Sequence, residues 1–130
     1  MATAGSESRP ARQQDPCRTR EVLDIVGDKW SLLVVRNLSQ GPLRFTELKR
    51  AVDGISQRML TVTLRSLERD GILTRTVRNV MPPHVSYELT PMGKTLRQAT
   101  APLLEWSITH LAHIDAARAT YDARPHTSPT

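Results

Sequence analysis

Between residues 56 and 69, side chains able to hydrogen-bond to base edges or to neutralise phosphate recur at helical spacing. Gln57 and Arg58 come first, Thr61 stands a turn later, and Arg65 and Arg69 follow at four-residue intervals. Gln and Arg can make paired hydrogen bonds to adenine and guanine edges respectively, and Arg is equally suited to phosphate oxygens. Side chains near the N-terminus of a helix docked in a major groove reach base edges first. Ser56, Gln57, Arg58 and Thr61 are therefore assigned to bases, and Arg65 and Arg69 to phosphates. Further along, Arg75, Arg78, Asn79 and His84 surround Pro82-Pro83. Such a segment suits a stiffened tip that meets the backbone or minor groove beside the helix, with little freedom to lose on binding.

Other chemistry is sparse. Cys17 is the single cysteine, which excludes an internal disulfide framework and a multi-cysteine zinc site within one chain. Arg18, Arg20 and a nearby helix start would favour its thiolate, so it is a candidate sensor as well as a candidate inert, partly packed thiol. His110 and His113 are three residues apart, with no carboxylate or thiol at helical spacing to complete a metal site. Asp24 and Asp28 flank Gly27 at a helix boundary, where Asp28 serves as a cap. The serines fall in caps and turns, and no glycine-rich phosphate loop is present, so neither an enzyme nor a cofactor is expected.

The elements that must position these groups follow from periodicity and punctuation. A chain of 130 residues with 38% apolar content has room for one core. Val22, Leu23, Ile25 and Val26 mark a first helix stopped at Gly27. Trp30, Leu33, Val34 and Leu38 mark a second over 28–39, capped by Asp28. Phe45, Leu48 and Val52 mark a short third helix, and Asp53-Gly54 makes a turn. Ser56 then caps a fourth helix whose buried stripe is Met59, Leu60, Leu64 and Leu67. Alternating segments at 72–77 and 85–89 form a hairpin, and Thr90-Pro91 starts a long final helix running to about residue 115. Trp30 and Trp106 read as core or dimer anchors.

The resulting fold class is mainly α with a small β-hairpin, a winged helix-turn-helix with a long C-terminal dimerisation helix. Residues 1–16 and 116–130 read as flexible tails around a domain over 17–115. The formal charge is +5, and residues 43–78 carry eight basic against four acidic side chains, +4 of that total. The basic excess favours double-stranded DNA as the partner. Leu96, Leu103, Leu104, Trp106, Ile108 and Leu111 form an apolar stripe longer than one small core can cover, which points to a homodimer. No membrane partner is expected, and the cytoplasm is the expected compartment. A plainly structural reading makes residues 43–70 a helical hairpin with a solvated face, in which Arg65, Glu68 and Arg69 form a surface ion-pair cluster; the competing functional reading is a winged-helix protein-interaction module without a specific DNA target.

Several blocks, in order, resemble the HxlR-type regulators, relatives of the MarR group. They are Cys17; Val26-Gly27-Asp28-Lys29-Trp30; the run from Gly41 to Leu48; the run from Gly54 to Thr61; the run from Leu64 to Gly71; the run from Pro82 to Gly93; and Trp106. The resemblance spans about residues 17–111. It implies a homodimeric transcription regulator, more often a repressor, that acts on an inverted-repeat operator and responds to a small-molecule or electrophile effector, with Cys17 at the position of the family's redox sensor. Val62 stands where a polar residue is typical, His84 where a basic residue is common, and Arg18 where proline often follows the cysteine.

Overall fold

The computed structural model describes residues 16–125, with the side chains of Pro16 and Cys17 outside that description. Helix α1 spans Pro16–Gly27, α2 Ser31–Asn37 with a single 3-10 turn at Leu38–Gln40, α3 Phe45–Ala51 and α4 Gln57–Arg69. Strand β1 is Leu43–Arg44, β2 Leu73–Arg78 and β3 His84–Leu89, and the long helix α5 is Pro91–Asp122. The winged helix-turn-helix expected from the sequence is the architecture observed.

Local chemistry sets most of the helix ends. Asp28 Oδ1 accepts hydrogen bonds from the amides of Trp30 at 2.9 Å and Ser31 at 3.4 Å, satisfying donors left open at the start of α2. Ser56 Oγ accepts from the Met59 amide at 3.0 Å, and Thr90 Oγ1 from the Gly93 amide at 3.0 Å. Pro91 follows Thr90 at the first helical position, where its missing N–H costs nothing. Between α3 and α4 the chain turns at Gly54, whose φ of 87° lies in the region glycine adopts without a Cβ penalty.

One core holds the unit together. Val34 and Val35 of α2, Leu48 of α3, Leu60, Leu64 and Leu67 of α4, and Leu73, Tyr87 and Leu89 of the sheet are buried against one another with Val52 and Ile55. Met59, read from the sequence as part of the buried stripe of α4, is instead exposed, and Thr63 takes the buried position.

Five further features differ from the sequence reading. Helix α1 begins at Pro16, so the backbone of Cys17 lies within its first turn and not ahead of it. The second helix is shorter than 28–39 at both ends: it starts at Ser31, after a turn at Lys29-Trp30 that Asp28 braces, and its last turn tightens to 3-10 geometry before Gly41-Pro42. The hairpin belongs to a three-stranded antiparallel sheet of order β1-β3-β2, in which Leu43 and Arg44 pair with Tyr87 and Ser86. The strand segments shift by a residue, so that Arg78 faces His84 on the last rung. Finally, α5 continues past residue 115 to Asp122. Residues 116–122, rich in alanine and free of Gly and Pro, favour continuation, and the Arg124 guanidinium rests 4.3 Å from the centre of the Tyr121 ring. The proposed N-terminal tail, up to residue 15, lies outside the described residues.

Candidate nucleic-acid interface

Helix α4 buries Leu60, Thr63, Leu64 and Leu67. Rotation of about 100° per residue puts Arg58, Val62, Arg65 and Arg69 on the ridge diametrically opposite. All four are exposed. The Ser56 cap holds the helix N-terminus, and Gln57 and Arg58 project from its first turn.

Beside this ridge a second row meets the wing. Gln57, Thr61, Arg65 and Glu68 of α4 share a cleft of about 580 Å³ with Arg75, Val85 and Tyr87 of the hairpin and Phe45 of α3. The fold therefore brings Gln57 and Thr61, two of the four proposed base-reading residues, and one wing arginine onto a single surface, with Arg58 on the neighbouring ridge. Antiparallel pairing with β3 fixes the position of Arg75 opposite Tyr87. Arg78 and Asn79 lie exposed further out, and His84 is half-buried at the base of the tip.

Thr61 departs in detail from its assigned role. Its hydroxyl donates to the Gln57 carbonyl at 3.0 Å, so the oxygen faces a ligand as an acceptor while the proton is engaged within the helix. None of the basic groups of α4 and the wing is held in an ion pair, although Glu68 lies in the same cleft as Arg65 and Arg75. Among the described residues the single ion pair is Arg18 Nε to Glu21 Oε2 at 3.1 Å, far along the chain from α4 and the wing. Arg65, Glu68 and Arg69 do not form the surface ion-pair cluster expected if 43–70 were only a helical hairpin with a solvated face.

Helix α3 adds groups that the sequence reading counted as charge without assigning them to the site. Glu47 Oε1 accepts from the Arg44 amide at 2.8 Å and fixes the start of α3. Lys49 and Arg50 are exposed in its last turn. The signal that could have found them is position, since the first helix of a helix-turn-helix crosses the DNA backbone.

The residues assigned to a dimer contact divide. Leu96 packs on the chain's own core and Leu104 is half-buried, whereas Leu103, Trp106, Ile108 and Leu111 are exposed. The Trp106 ring stacks on His110 with centroids 4.6 Å apart. Trp30 is half-buried against the core, as a core anchor should be. No group of three or more potential metal ligands occurs among the described residues, and no described helix is long and apolar enough to cross a membrane.

Comparison with known proteins decides the lineage: the family model of the HxlR-like helix-turn-helix matches residues 25–115. The chain belongs to that family. It is 39% identical over 104 residues to the HTH-type transcriptional regulator YtfH of Escherichia coli K12, covering 80% of this chain and 82% of the relative. The solved putative transcriptional regulator ytfH from Salmonella typhimurium is 39% identical with a TM-score of 0.72, covering 82% of this chain and 94% of that one. The redox regulator HypR in its oxidised form is 40% identical with a TM-score of 0.67, covering 72% and 96%. This HxlR-type protein is accordingly a transcription regulator, and its relatives belong to a class that is not enzymatic.

Proposed function

We propose that this HxlR-type regulator binds duplex DNA sequence-specifically as a homodimer on an inverted-repeat operator and represses transcription there. The observation that carries the reading is the unpaired cationic surface formed by α4 and the wing, with Gln57 and Arg58 at its leading edge. In this arrangement Ser56, Gln57, Arg58 and Thr61 face bases, while Arg65, Arg69, Arg75 and Arg78 neutralise phosphate, joined by Lys49 and Arg50 of α3. The exposed apolar residues of α5 beyond residue 100 support the dimer, since a free helix of that character is poorly solvated. Two-fold pairing would set the recognition helices about one DNA turn, ~34 Å, apart.

The test is a salt titration of binding to duplex from the chain's own upstream region. The four arginines of α4 and the wing alone give eight phosphate contacts per dimer, for a slope of log K against log salt of about −7, and Lys49 and Arg50 make it steeper. Affinity then falls at least roughly 10⁴-fold between 50 and 200 mM salt. Absence of binding at the lowest salt overturns the reading. Repression is checked with a promoter fusion, whose output rises when the regulator is deleted.

The signal proposed for this regulator is oxidation or alkylation at Cys17. Support comes from its place in the first turn of α1 and from similarity to the redox regulator HypR. With one cysteine per chain, a protein disulfide must join two subunits and needs Cα atoms within ~7 Å; otherwise the product is a mixed disulfide or an adduct.

A further inference from the structure

We infer that Val62 reads the C5-methyl group of a thymine, about two base steps from the base contacted by Arg58; the inference rests on the DNA-binding reading above. Val62 is 49% exposed on the outward ridge of α4, one turn after Arg58 and just before Arg65 and Arg69. It belongs neither to the buried core nor to the half-buried side chains packed on it. Its isopropyl group is therefore the one apolar side chain on a ridge otherwise made of guanidinium groups.

Placed in a major groove, that ridge offers Val62 a narrow choice. Base-pair edges there display hydrogen-bond donors and acceptors, with a single apolar feature, the thymine methyl. Opposite guanine, adenine or cytosine, the valine would strip water from polar edge atoms and return no hydrogen bond, which costs free energy. Opposite thymine it buries methyl against methyl. Discrimination thus has an attractive and a repulsive part. The spacing follows from geometry: four residues of helix advance about 6 Å, or about two steps of 3.4 Å along a strand.

Helix chemistry gives no competing reason for valine at this position. A β-branched residue is a poorer helix former than alanine, and an exposed one makes no packing contact to offset that deficit. Val62→Ala should therefore leave the melting temperature unchanged or raise it while weakening binding to the operator. A purely structural role for Val62 would give the opposite result on melting.

The experiment uses the full chain and an operator recovered by selection from genomic fragments. Each thymine of one half-site is replaced in turn by 2′-deoxyuridine, which lacks only the C5 methyl, and binding is measured by fluorescence anisotropy. One position is expected to lose about fourfold, the factor that corresponds to ~0.8 kcal/mol for a buried methyl-sized group. The same change in both half-sites should lose about fifteenfold. In Val62→Ala, deoxyuridine at that position should cost less than twofold. If wild type tolerates deoxyuridine everywhere while still binding the operator, the inference fails and the regulator reading stands. If Val62→Ala keeps the full sensitivity, another side chain reads the methyl and the inference again fails. A wild type that binds no duplex at all removes both.

Discussion

Replacing Gly93 by alanine should destabilise this protein, although alanine is ordinarily the better residue in a helix. Gly93 is in the first turn of α5, where a Cβ would overlap the carbonyl oxygen of Ile72 and come within 3.1 Å of its carbon and 3.2 Å of Leu89 Cδ2. The carbonyl cannot simply move aside, because it accepts from the Thr90 amide at 3.0 Å and lies 3.1 Å from Thr90 Oγ1. That hydroxyl also donates to the Gly71 carbonyl at 2.6 Å, tying the end of α4 to the start of α5. Helix propensity favours alanine by about 1 kcal/mol. Against it stand ~1–3 kcal/mol for overpacking a rigid neighbour and ~1 kcal/mol for each hydrogen bond displaced. The balance is a loss of about 2 kcal/mol, or roughly 8 °C in melting temperature for a domain of this length. Gly27→Ala is the control, since nothing lies within 4 Å of a Cβ there. Thermal melts followed by far-UV circular dichroism at one fixed protein concentration would measure both variants. A Gly93→Ala protein that melts at or above wild type would refute the reasoning, as would a Gly27→Ala protein that loses as much.

Arg58→Ala should cost ~1–3 kcal/mol of operator affinity and relax base preference, whereas Arg75→Ala or Arg78→Ala should weaken all sequences alike and reduce the salt slope; competition binding on operator and scrambled duplexes separates the two outcomes. Leu103→Glu together with Leu111→Glu should convert a dimer into a monomer in light scattering at micromolar concentration without lowering helix content, because both side chains are exposed on the protomer; a wild type already monomeric there contradicts the dimer. Diamide should abolish DNA binding by wild type and a thiol reductant should restore it, while Cys17→Ser should bind and ignore both. Equal loss in the variant would exclude the thiol as the switch.

Features that were legible in the sequence depend on neighbours within a few residues. Asp28, Ser56 and Thr90 each satisfy an amide two or three positions on, so cap, helix start and residue type appear together in the string. The apolar period of α4 likewise located the face that carries Arg58, Arg65 and Arg69, with Met59 the exception. Strand β1 was not legible, since two residues cannot show alternation and Leu43 and Arg44 become a strand only through Tyr87 and Ser86, more than forty positions away. The engagement of the Thr61 hydroxyl was hidden for a related reason: side-chain type gives donor and acceptor capacity but not which is already in use.

Helix α5 shows how two packing demands on one element blur its pattern. Its early residues are held by the domain: Gly93 and Thr100 are buried, and Leu96 packs on the core. Beyond them the apolar residues change character, with Leu103, Trp106, Ile108 and Leu111 exposed. Trp106 and Ile108 are two positions apart and so point about 160° away from each other, which a single stripe cannot accommodate. Read as a sequence, the near-regular leucines from 96 to 111 look like one seam facing one partner. In the structure the seam is spent on the chain's own core at its start, and the remaining apolar surface spreads around the helix. A partner that covers it must embrace α5 from more than one side, which a single antiparallel copy of α5 cannot do. In the proposed homodimer, helix α1, with Val22 and Leu23 exposed, would supply part of the rest of such a contact.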